Sequence, residues 1–267
     1  MLQSLNTLVL DLDGTLYQDF TFYETYIHNL LRETDRQSWA VPFTGFVEEV
    51  LRGKKLAMNA FYRTDPVCES KPETFLLCLE ERAAQSLPYE EALGAEGLLY
   101  LGDLWSVVSL LGEALGLSET GWRYRVYSAT RAEMAQRGYA GSETLRDALK
   151  AASLRCETVL LSNSPEEIAA PVVSELGYGD VFRHIVYGAN KPYALADALV
   201  EACSHALENP ETLLSIGDHA FNDLMPVKAL GGKTVWINPY PGVKEPAYDA
   251  RLASTEDLAR FIKGFCT

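Results

Sequence analysis

Two aspartates separated by a single residue, Asp11 and Asp13, follow a short apolar run in the segment TLVLDLDGTL at residues 7–16. Charges this close repel each other by roughly a few kcal/mol at an effective dielectric constant of about 20, so the pair calls for a cation or a proton. The natural cation is Mg²⁺, a hard ion that prefers oxygen ligands. The sequence therefore predicts a magnesium site at this pair of acids.

The apolar run before Asp11 is the element that must position both acids. It mixes aliphatic and β-branched residues without a helical period, which is typical of a buried strand. The acids then emerge at the carboxyl end of that strand, the edge of an α/β sheet at which ligands bind. Three more predicted strand ends carry polar groups: Ser162 with Asn163, Lys191 with Pro192, and the run GDHAFND at 217–223. We expect all of them to converge on Asp11.

The organisation of the chain divides it into two parts. After residue 141, strand and helix alternate to the end, with strands predicted in 157–164, 181–187, 212–216 and 234–237, and a helix over 193–207. This pattern predicts an α/β fold with a doubly wound, Rossmann-like parallel sheet that the opening strand must join. Residues 20–136 look helical throughout, with no strand between them. We therefore predict a core of 1–18 and 139–267 and an inserted all-helical domain of 19–138.

In chain order, the motifs DLDGT, SN, KP and GDxxxND resemble the four motifs of the haloacid dehalogenase-like (HAD) superfamily, whose members are mostly Mg²⁺-dependent phosphatases. The resemblance implies that Asp11 is the nucleophile and forms an aspartyl-phosphate. It implies that Asp13 is the general acid and base, and that Lys191 offsets the charge of the anions that meet there. A second acid also argues against hydrolytic dehalogenation, because a halide leaves without being protonated.

The same resemblance implies the metal and phosphate ligands. Magnesium would be held by the Asp11 carboxylate, the backbone carbonyl of Asp13 and Asp218, with Asp223 supporting the site through water or by orienting Lys191. Contacts to the phosphoryl group are expected from Gly14, Thr15, Ser162 and Asn163, of which Ser162 donates a hydrogen bond and Asn163 also shapes its loop. Ser164 is predicted to be the N-cap of the helix that starts near Pro165.

An insertion directly after DLDGT resembles the helical cap of such enzymes, which excludes water and favours small substrates. The expected activity is therefore hydrolysis of a small phosphomonoester metabolite by a phosphoric monoester hydrolase. Alternatives are a sugar phosphomutase on the same core, a phosphoacceptor signalling domain and a non-catalytic binding protein. His219 is expected to be structural. A basic cluster in the insertion is expected to be a solvated helix face, with contact to an anionic substrate as the alternative: Arg52, Lys54, Lys55 and Arg63.

The composition of the chain disfavours several classes of partner and several kinds of site. The formal net charge of -14 disfavours nucleic acids and anionic membranes as general partners. The 5 cysteines are scattered without a CxxC pair, so the spacing indicates neither a disulfide framework nor a zinc site. The first residues lack a basic targeting region, and no apolar stretch reaches the length of a membrane span. We expect a cytoplasmic protein with no membrane partner and a small phosphorylated metabolite as substrate; the sequence leaves the oligomeric state open.

Overall fold

The structure is a computed structural model that describes residues 5–83, 87–117, 120–241 and 243–266. It divides the chain into two units. The first consists of Met1–Gln18, Gly138–Pro239 and Pro246–Thr267, and the second consists of Asp19–Arg137 and Tyr240–Glu245. The sequence analysis places the segment Tyr240–Glu245 in the core, whereas the structure groups it with the insertion. Within that unit the rings of Tyr240 and Phe20 lie 5.6 Å apart, and Asn59 Nδ2 donates to the Lys244 carbonyl over 2.9 Å.

The first unit is built on a six-stranded parallel sheet with the strand order β5-β4-β1-β6-β7-β8. Side chains alternate between its faces, so that Leu8 and Leu10 pack under three helices on one face while Val9 packs under the helix Leu195–Ala202 on the other. The strands are β1 (Thr7–Leu10), β4 (Glu157–Leu161), β5 (His184–Val186), β6 (Leu213–Gly217), β7 (Lys233–Ile237) and β8 (Ala250–Leu252), and the helices are α7 (Glu143–Ser153), α8 (Glu166–Glu175), α9 (Leu195–Ala202), α10 (Met225–Ala229) and α11 (Thr255–Cys266). The predicted doubly wound fold is confirmed.

The strand order reverses at β1, which lies between β4 and β6. In α/β sheets this switch point opens a crevice beyond the carboxyl ends of the strands, where ligands bind. Leu10 is level with Leu160 on one side and with Ile216 on the other. This register brings the residues that follow all three strands to the same height of the sheet.

Two sequence predictions for the first unit were incomplete. Strand β8 was missed because its 3 residues are too few to show a two-residue period. The helix predicted over 193–207 ends at Ala202, because the backbone becomes extended at Cys203. Helix α7 begins after Ser142, whose hydroxyl accepts a hydrogen bond from Leu145 N over 3.3 Å.

The second unit is mainly helical. Its helices are α1 (Phe22–Arg32), α2 (Ala40–Leu51), α3 (Pro72–Glu80), α4 (Tyr89–Leu93), α5 (Leu104–Ala114) and α6 (Trp122–Arg137). Helices α1 and α6 run antiparallel, because Asn29 donates to Glu133 while Glu33, one turn further on, pairs with Arg125. Helix α1 buries one apolar face, which consists of Phe22, Tyr26, Ile27, Leu30 and Leu31.

The prediction that no strand interrupts the insertion was wrong. Strands β2 (Phe61–Arg63) and β3 (Leu98–Tyr100) form a two-stranded antiparallel sheet, and each is too short to be recognised by periodicity. The basic cluster is largely paired on the surface: Arg52 and Lys54 contact Glu49, and Lys55 contacts Glu80. This pairing agrees with a solvated surface, but the prediction of a helix face was wrong, because α2 ends before Arg52 and Arg63 belongs to β2. Among the described residues, no helix has the length and apolar character that a membrane crossing requires.

Candidate active site

The polar side chains predicted to converge do meet at the carboxyl edge of the sheet. Asp11 directly follows β1, and its backbone N–H donates to the Ile216 carbonyl of β6 over 3.1 Å. Ser162 follows β4 and Asp218 follows β6, each one residue beyond the level of Asp11 by the strand register. The central strands therefore carry three of the predicted site residues to one place.

Lys191 connects this group from the loop after β5. Its ammonium donates to Asp11 Oδ1, Asp223 Oδ1 and the Leu161 carbonyl, each over 2.7 Å. The lysine side chain is only 3% exposed. Burial opposes its charge, but the two carboxylates raise the pKa of Lys191 above its ordinary value. A buried cation is thus fixed between two predicted site aspartates.

Asp11 keeps a raised proton affinity in spite of that lysine. Burial raises the pKa of Asp11 to about 7, the ammonium of Lys191 works in the opposite direction, and the carboxylates of Asp223 and Asp13 raise it further. In the absence of a metal, a proton therefore stabilises the acid cluster at neutral pH. A divalent cation can replace that proton.

Asp13 is held by two hydroxyl groups that the sequence analysis did not assign to the site. Tyr17 Oη donates to Asp13 Oδ1, and Ser164 Oγ donates to Asp13 Oδ2 over 3.2 Å. The prediction that Ser164 caps α8 was wrong: the N-cap is Pro165, and no side chain caps that helix. The segment from Asp13 to Tyr17 is a turn with an isolated bridge between its end residues, not a helix, so helical periodicity could not have indicated this contact.

Two glycines make room for the acidic side chains. A Cβ on Gly14 would lie 2.0 Å from Asp218 Oδ2, and one on Gly217 would lie 2.3 Å from Asp223 Oδ2. Gly14 also has a φ of +75°, a conformation that favours glycine. The structure therefore gives Gly14 a clear steric role: it allows the carboxylate of Asp218 to lie against the backbone of the first motif.

The remaining predicted phosphate contacts differ in what they present. Ser162 Oγ is buried and accepts a hydrogen bond from Ser164 N over 3.1 Å. Asn163 joins two loops, since its Oδ1 accepts from Lys191 N and its Nδ2 donates to the Lys191 carbonyl, over 2.7 and 2.9 Å. Thr15 is fully buried, and its Oγ1 has no hydrogen-bond partner among the described residues. Its side chain exposes no surface to a substrate.

Asp223 and His219 build the loop after β6. The His219 backbone N–H donates to Asp223 Oδ2 over 3.1 Å, while Asp223 Oδ1 accepts from Lys191. His219 Nδ1 accepts a hydrogen bond from Asn222 N over 3.3 Å and so caps the following turn. Asp223 is thereby placed to orient Lys191, and His219 has the structural contact expected of it.

The donor set fits a hard divalent cation. Asp11, Asp218 and Asp223 each offer a carboxylate oxygen, and these atoms lie within 4.8 Å of one another. Oxygen ligands in this number suit Mg²⁺, which completes its octahedral shell with water and substrate oxygens. The Asp13 carboxylate does not belong to this group. The contribution predicted from the Asp13 backbone carbonyl stays a prediction.

The pKa of Asp11 predicts how metal binding depends on pH. We expect Mg²⁺ to raise the melting temperature more at about pH 8 than at about pH 5.5, because the ion must displace a proton from Asp11 below a pKa of about 7. Thermal unfolding with and without Mg²⁺ at both values measures this. In Asp11→Asn that proton is missing, so the pH dependence of the shift should flatten. A native shift that is equal at both pH values would contradict the explanation.

Comparisons with known proteins agree on the fold. A family of haloacid dehalogenase-like hydrolases matches residues 5–231. Among solved structures, a HAD phosphatase from Thermococcus onnurineus shares 15% identity with a TM-score of 0.52 and covers 97% of this chain and 99% of its own. A beta-phosphoglucomutase from Clostridium difficile shares 14% identity with a TM-score of 0.51, and the match covers 98% of this chain and 97% of the mutase. An L-2-haloacid dehalogenase shares 16% identity with a TM-score of 0.50, and the match covers 98% of this chain and 100% of the dehalogenase.

Identities this low establish similarity of fold, and the three proteins carry out different reactions. A comparison with curated proteins found no match. The family match covers most of the chain and includes the four sequence motifs whose side chains meet at the sheet edge. The chain belongs to the haloacid dehalogenase-like hydrolases.

Proposed function

We propose that this hydrolase is a Mg²⁺-dependent phosphatase that cleaves a small phosphomonoester through an aspartyl-phosphate on Asp11. The observation that carries the proposal is the fixed second acid. Asp13 is two residues from the nucleophile candidate, and Tyr17 and Ser164 hold its two oxygens. Phosphoryl transfer to and from an alcohol needs a proton donor and acceptor at this point, whereas displacement of a halide does not.

In the first step, an oxygen of the Asp11 carboxylate attacks phosphorus and the bond from phosphorus to the substrate oxygen breaks. Asp13, protonated at the start, gives its proton to that leaving oxygen. In the second step, Asp13 takes a proton from water as the water oxygen attacks phosphorus. The bond between phosphorus and Asp11 then breaks, and inorganic phosphate leaves with the Asp11 carboxylate and the protonated Asp13 restored.

Three other groups support these steps. The ammonium of Lys191, 2.7 Å from Asp11 Oδ1, lowers the repulsion between the nucleophile and an incoming phosphate dianion. The Ser162 hydroxyl accepts from Ser164 N and can donate its hydrogen to a phosphoryl oxygen. Bound Mg²⁺ would neutralise part of the charge that the phosphoryl group brings into the aspartate cluster.

The small-metabolite part of the proposal rests on the insertion. Residues Asp19–Arg137 make up most of the second unit, which Tyr240–Glu245 completes, and they follow the first motif directly in the chain. A unit inserted at this point supplies substrate contacts and limits the size of the substrate if it acts as a cap. A sugar phosphomutase would use the same core residues, so product analysis must separate the two activities.

The test compares two substrates in one variant. We expect Mg²⁺-dependent release of phosphate from the native protein, and a loss of about 10²- to 10⁴-fold in Asp13→Asn with an alkyl phosphomonoester. The loss of kcat/KM, which reports the first step up to release of the alcohol, should be smaller with p-nitrophenyl phosphate, because nitrophenolate leaves without a proton. Calorimetry should show that Asp13→Asn still binds Mg²⁺. Asp180→Asn, which changes an exposed aspartate, is the matched control.

Equal losses of kcat/KM with both substrates would contradict the role of Asp13 as proton donor. A panel of phosphorylated metabolites then identifies the substrate class. Release of inorganic phosphate supports the phosphatase, whereas conversion of one sugar phosphate into its isomer without free phosphate would replace it with the mutase.

A further inference from the structure

Three metal-binding side chains from distant parts of the sequence meet at the amino-terminal edge of the sheet, opposite the aspartate cluster. Glu157 is the first residue of β4, His184 is the first residue of the neighbouring strand β5, and Cys203 directly follows α9. Each offers one ligand atom, and the three atoms lie within 4.8 Å of one another. We propose that Glu157, His184 and Cys203 form a Zn²⁺ site.

The spacing of the donor atoms suits a tetrahedral ion. His184 Nε2 lies 3.1 Å from Glu157 Oε2. Bonds of 2.0–2.3 Å to zinc place neighbouring donors of a tetrahedral site about 3.3–3.8 Å apart, so the cluster needs only small side-chain movements. A thiolate together with an imidazole and a carboxylate favours Zn²⁺ over the hard ion Mg²⁺. His205 lies next to the same sulfur, with its Nε2 at 3.5 Å from Cys203 Sγ.

The surroundings orient the proposed ligands. Arg183 Nη1 holds Glu157 Oε1 over 3.0 Å, which leaves Oε2 facing His184. The Thr7 hydroxyl is buried beside the Cys203 thiol and has no hydrogen-bond partner of ordinary geometry among the described residues. The side chains of His184 and Glu157 are 34% and 21% exposed, so an ion can enter from solvent.

A bound zinc ion would balance the negative charge of its proposed ligands. The cluster places the Cys203 sulfur beside the Glu157 carboxylate, since the ligand atoms lie within 4.8 Å of one another. A zinc ion supplies the positive charge that stabilises the thiolate beside that carboxylate. The ion would then connect β4, β5 and the end of α9, and its binding energy would stabilise the first unit.

Cobalt provides the test, because Co²⁺ occupies zinc sites and a thiolate ligand gives it an intense near-ultraviolet charge-transfer band. We expect Co²⁺ added to reduced, metal-free, full-length protein in excess Mg²⁺ to produce this band, to saturate at about one equivalent and to be displaced by Zn²⁺. The aspartate cluster contains no sulfur and cannot produce the band, so the result is independent of the phosphatase proposal. Zn²⁺ should also raise the melting temperature.

The variants assign the ligands. Cys203→Ser should abolish the band. Replacing either of the two partly exposed ligands, in Glu157→Gln or His184→Gln, should weaken Co²⁺ binding by at least about 10-fold. The matched controls Cys68→Ser and His28→Gln change an exposed cysteine and an exposed histidine of the insertion and should leave the titration unchanged. Circular dichroism verifies that each variant is folded. An undiminished band in Cys203→Ser, or unchanged affinity in both folded Gln variants of the site, would overturn the proposal.

Discussion

Replacing Asp11 with asparagine should reduce Mg²⁺-dependent phosphate release by about 10⁴-fold or more, because the variant has no carboxylate to attack phosphorus. The loss should not come from unfolding. The asparagine carbonyl can still accept a hydrogen bond from Lys191, and one charge leaves an acidic cluster in which burial raises the pKa of Asp11 to about 7. We therefore expect an unchanged or higher melting temperature at about pH 8. Steady-state kinetics and thermal unfolding measure the two effects.

A chemical trap distinguishes a nucleophile from a residue that only binds metal. Borohydride reduces an aspartyl-phosphate to homoserine, so native protein quenched during turnover should contain homoserine at position 11 in its peptide map. Asp11→Asn should yield none, and the exposed control Asp180→Asn should behave like the native protein. Turnover of Asp11→Asn within about 10-fold of native, or homoserine at another aspartate, would exclude Asp11 as the nucleophile.

Replacing Lys191 with methionine should produce the largest loss of stability in the site. The lysine is buried, and its removal leaves Asp11 and Asp223 close together without their shared cation. Breaking a buried ion pair from one side costs about 3–5 kcal/mol of unfolding free energy. The cost should be smaller at about pH 5.5 than at about pH 8, because Asp11, whose pKa burial raises, is protonated at the lower pH. Urea unfolding at both values measures the difference.

An exposed lysine-aspartate pair in the same unit is the control. Lys228 lies 3.1 Å from Asp249, and the two side chains are 34% and 27% exposed. Lys228→Met should lower the free energy of unfolding by less than about 1 kcal/mol, because solvent screens such pairs. At a pH at which the Lys191→Met variant is folded, we also expect it to release no phosphate. Equal destabilisation by both variants would show that the Lys191 network contributes no more than a surface pair.

The sequence was sufficient for the parts of the site that lie at the ends of strands. Asp11, Ser162 and Asp218 each follow an apolar run, and the parallel order of those strands places them together without further information. Lys191 was predicted to meet them, but its buried position between two aspartates depends on the loop after β5, which Asn163 fixes through backbone contacts. Local sequence carries little information about such loop-to-loop contacts.

Other features depend on contacts that no single segment reveals. Ser164 looked like a helix cap by sequence, yet its hydroxyl faces Asp13 from another loop. Strands β2 and β3 have 3 residues each and are formed by pairing with each other, so neither shows a pattern alone. The proposed zinc ligands have the same origin. A search for paired cysteines finds no site there, because a strand register brings Glu157 and His184 together and the end of a helix adds Cys203.

The antiparallel pairing of α1 with α6 affects how the chain folds. The central strand β1 must wait for β4, whose first residue lies about 147 positions after Leu10, and closing a flexible loop of that length costs about 4 kcal/mol of chain entropy. In the α1–α6 pair, however, the start of α1 and the end of α6 lie at the same end. Once the insertion has folded, only about 30 flexible residues remain to be closed, which saves about 1.4 kcal/mol. The folded insertion thus keeps β1 close to the part of the chain that leads to β4. During synthesis the insertion leaves the ribosome before β4 does, so it can fold first and shorten the path over which β1 and β4 must meet.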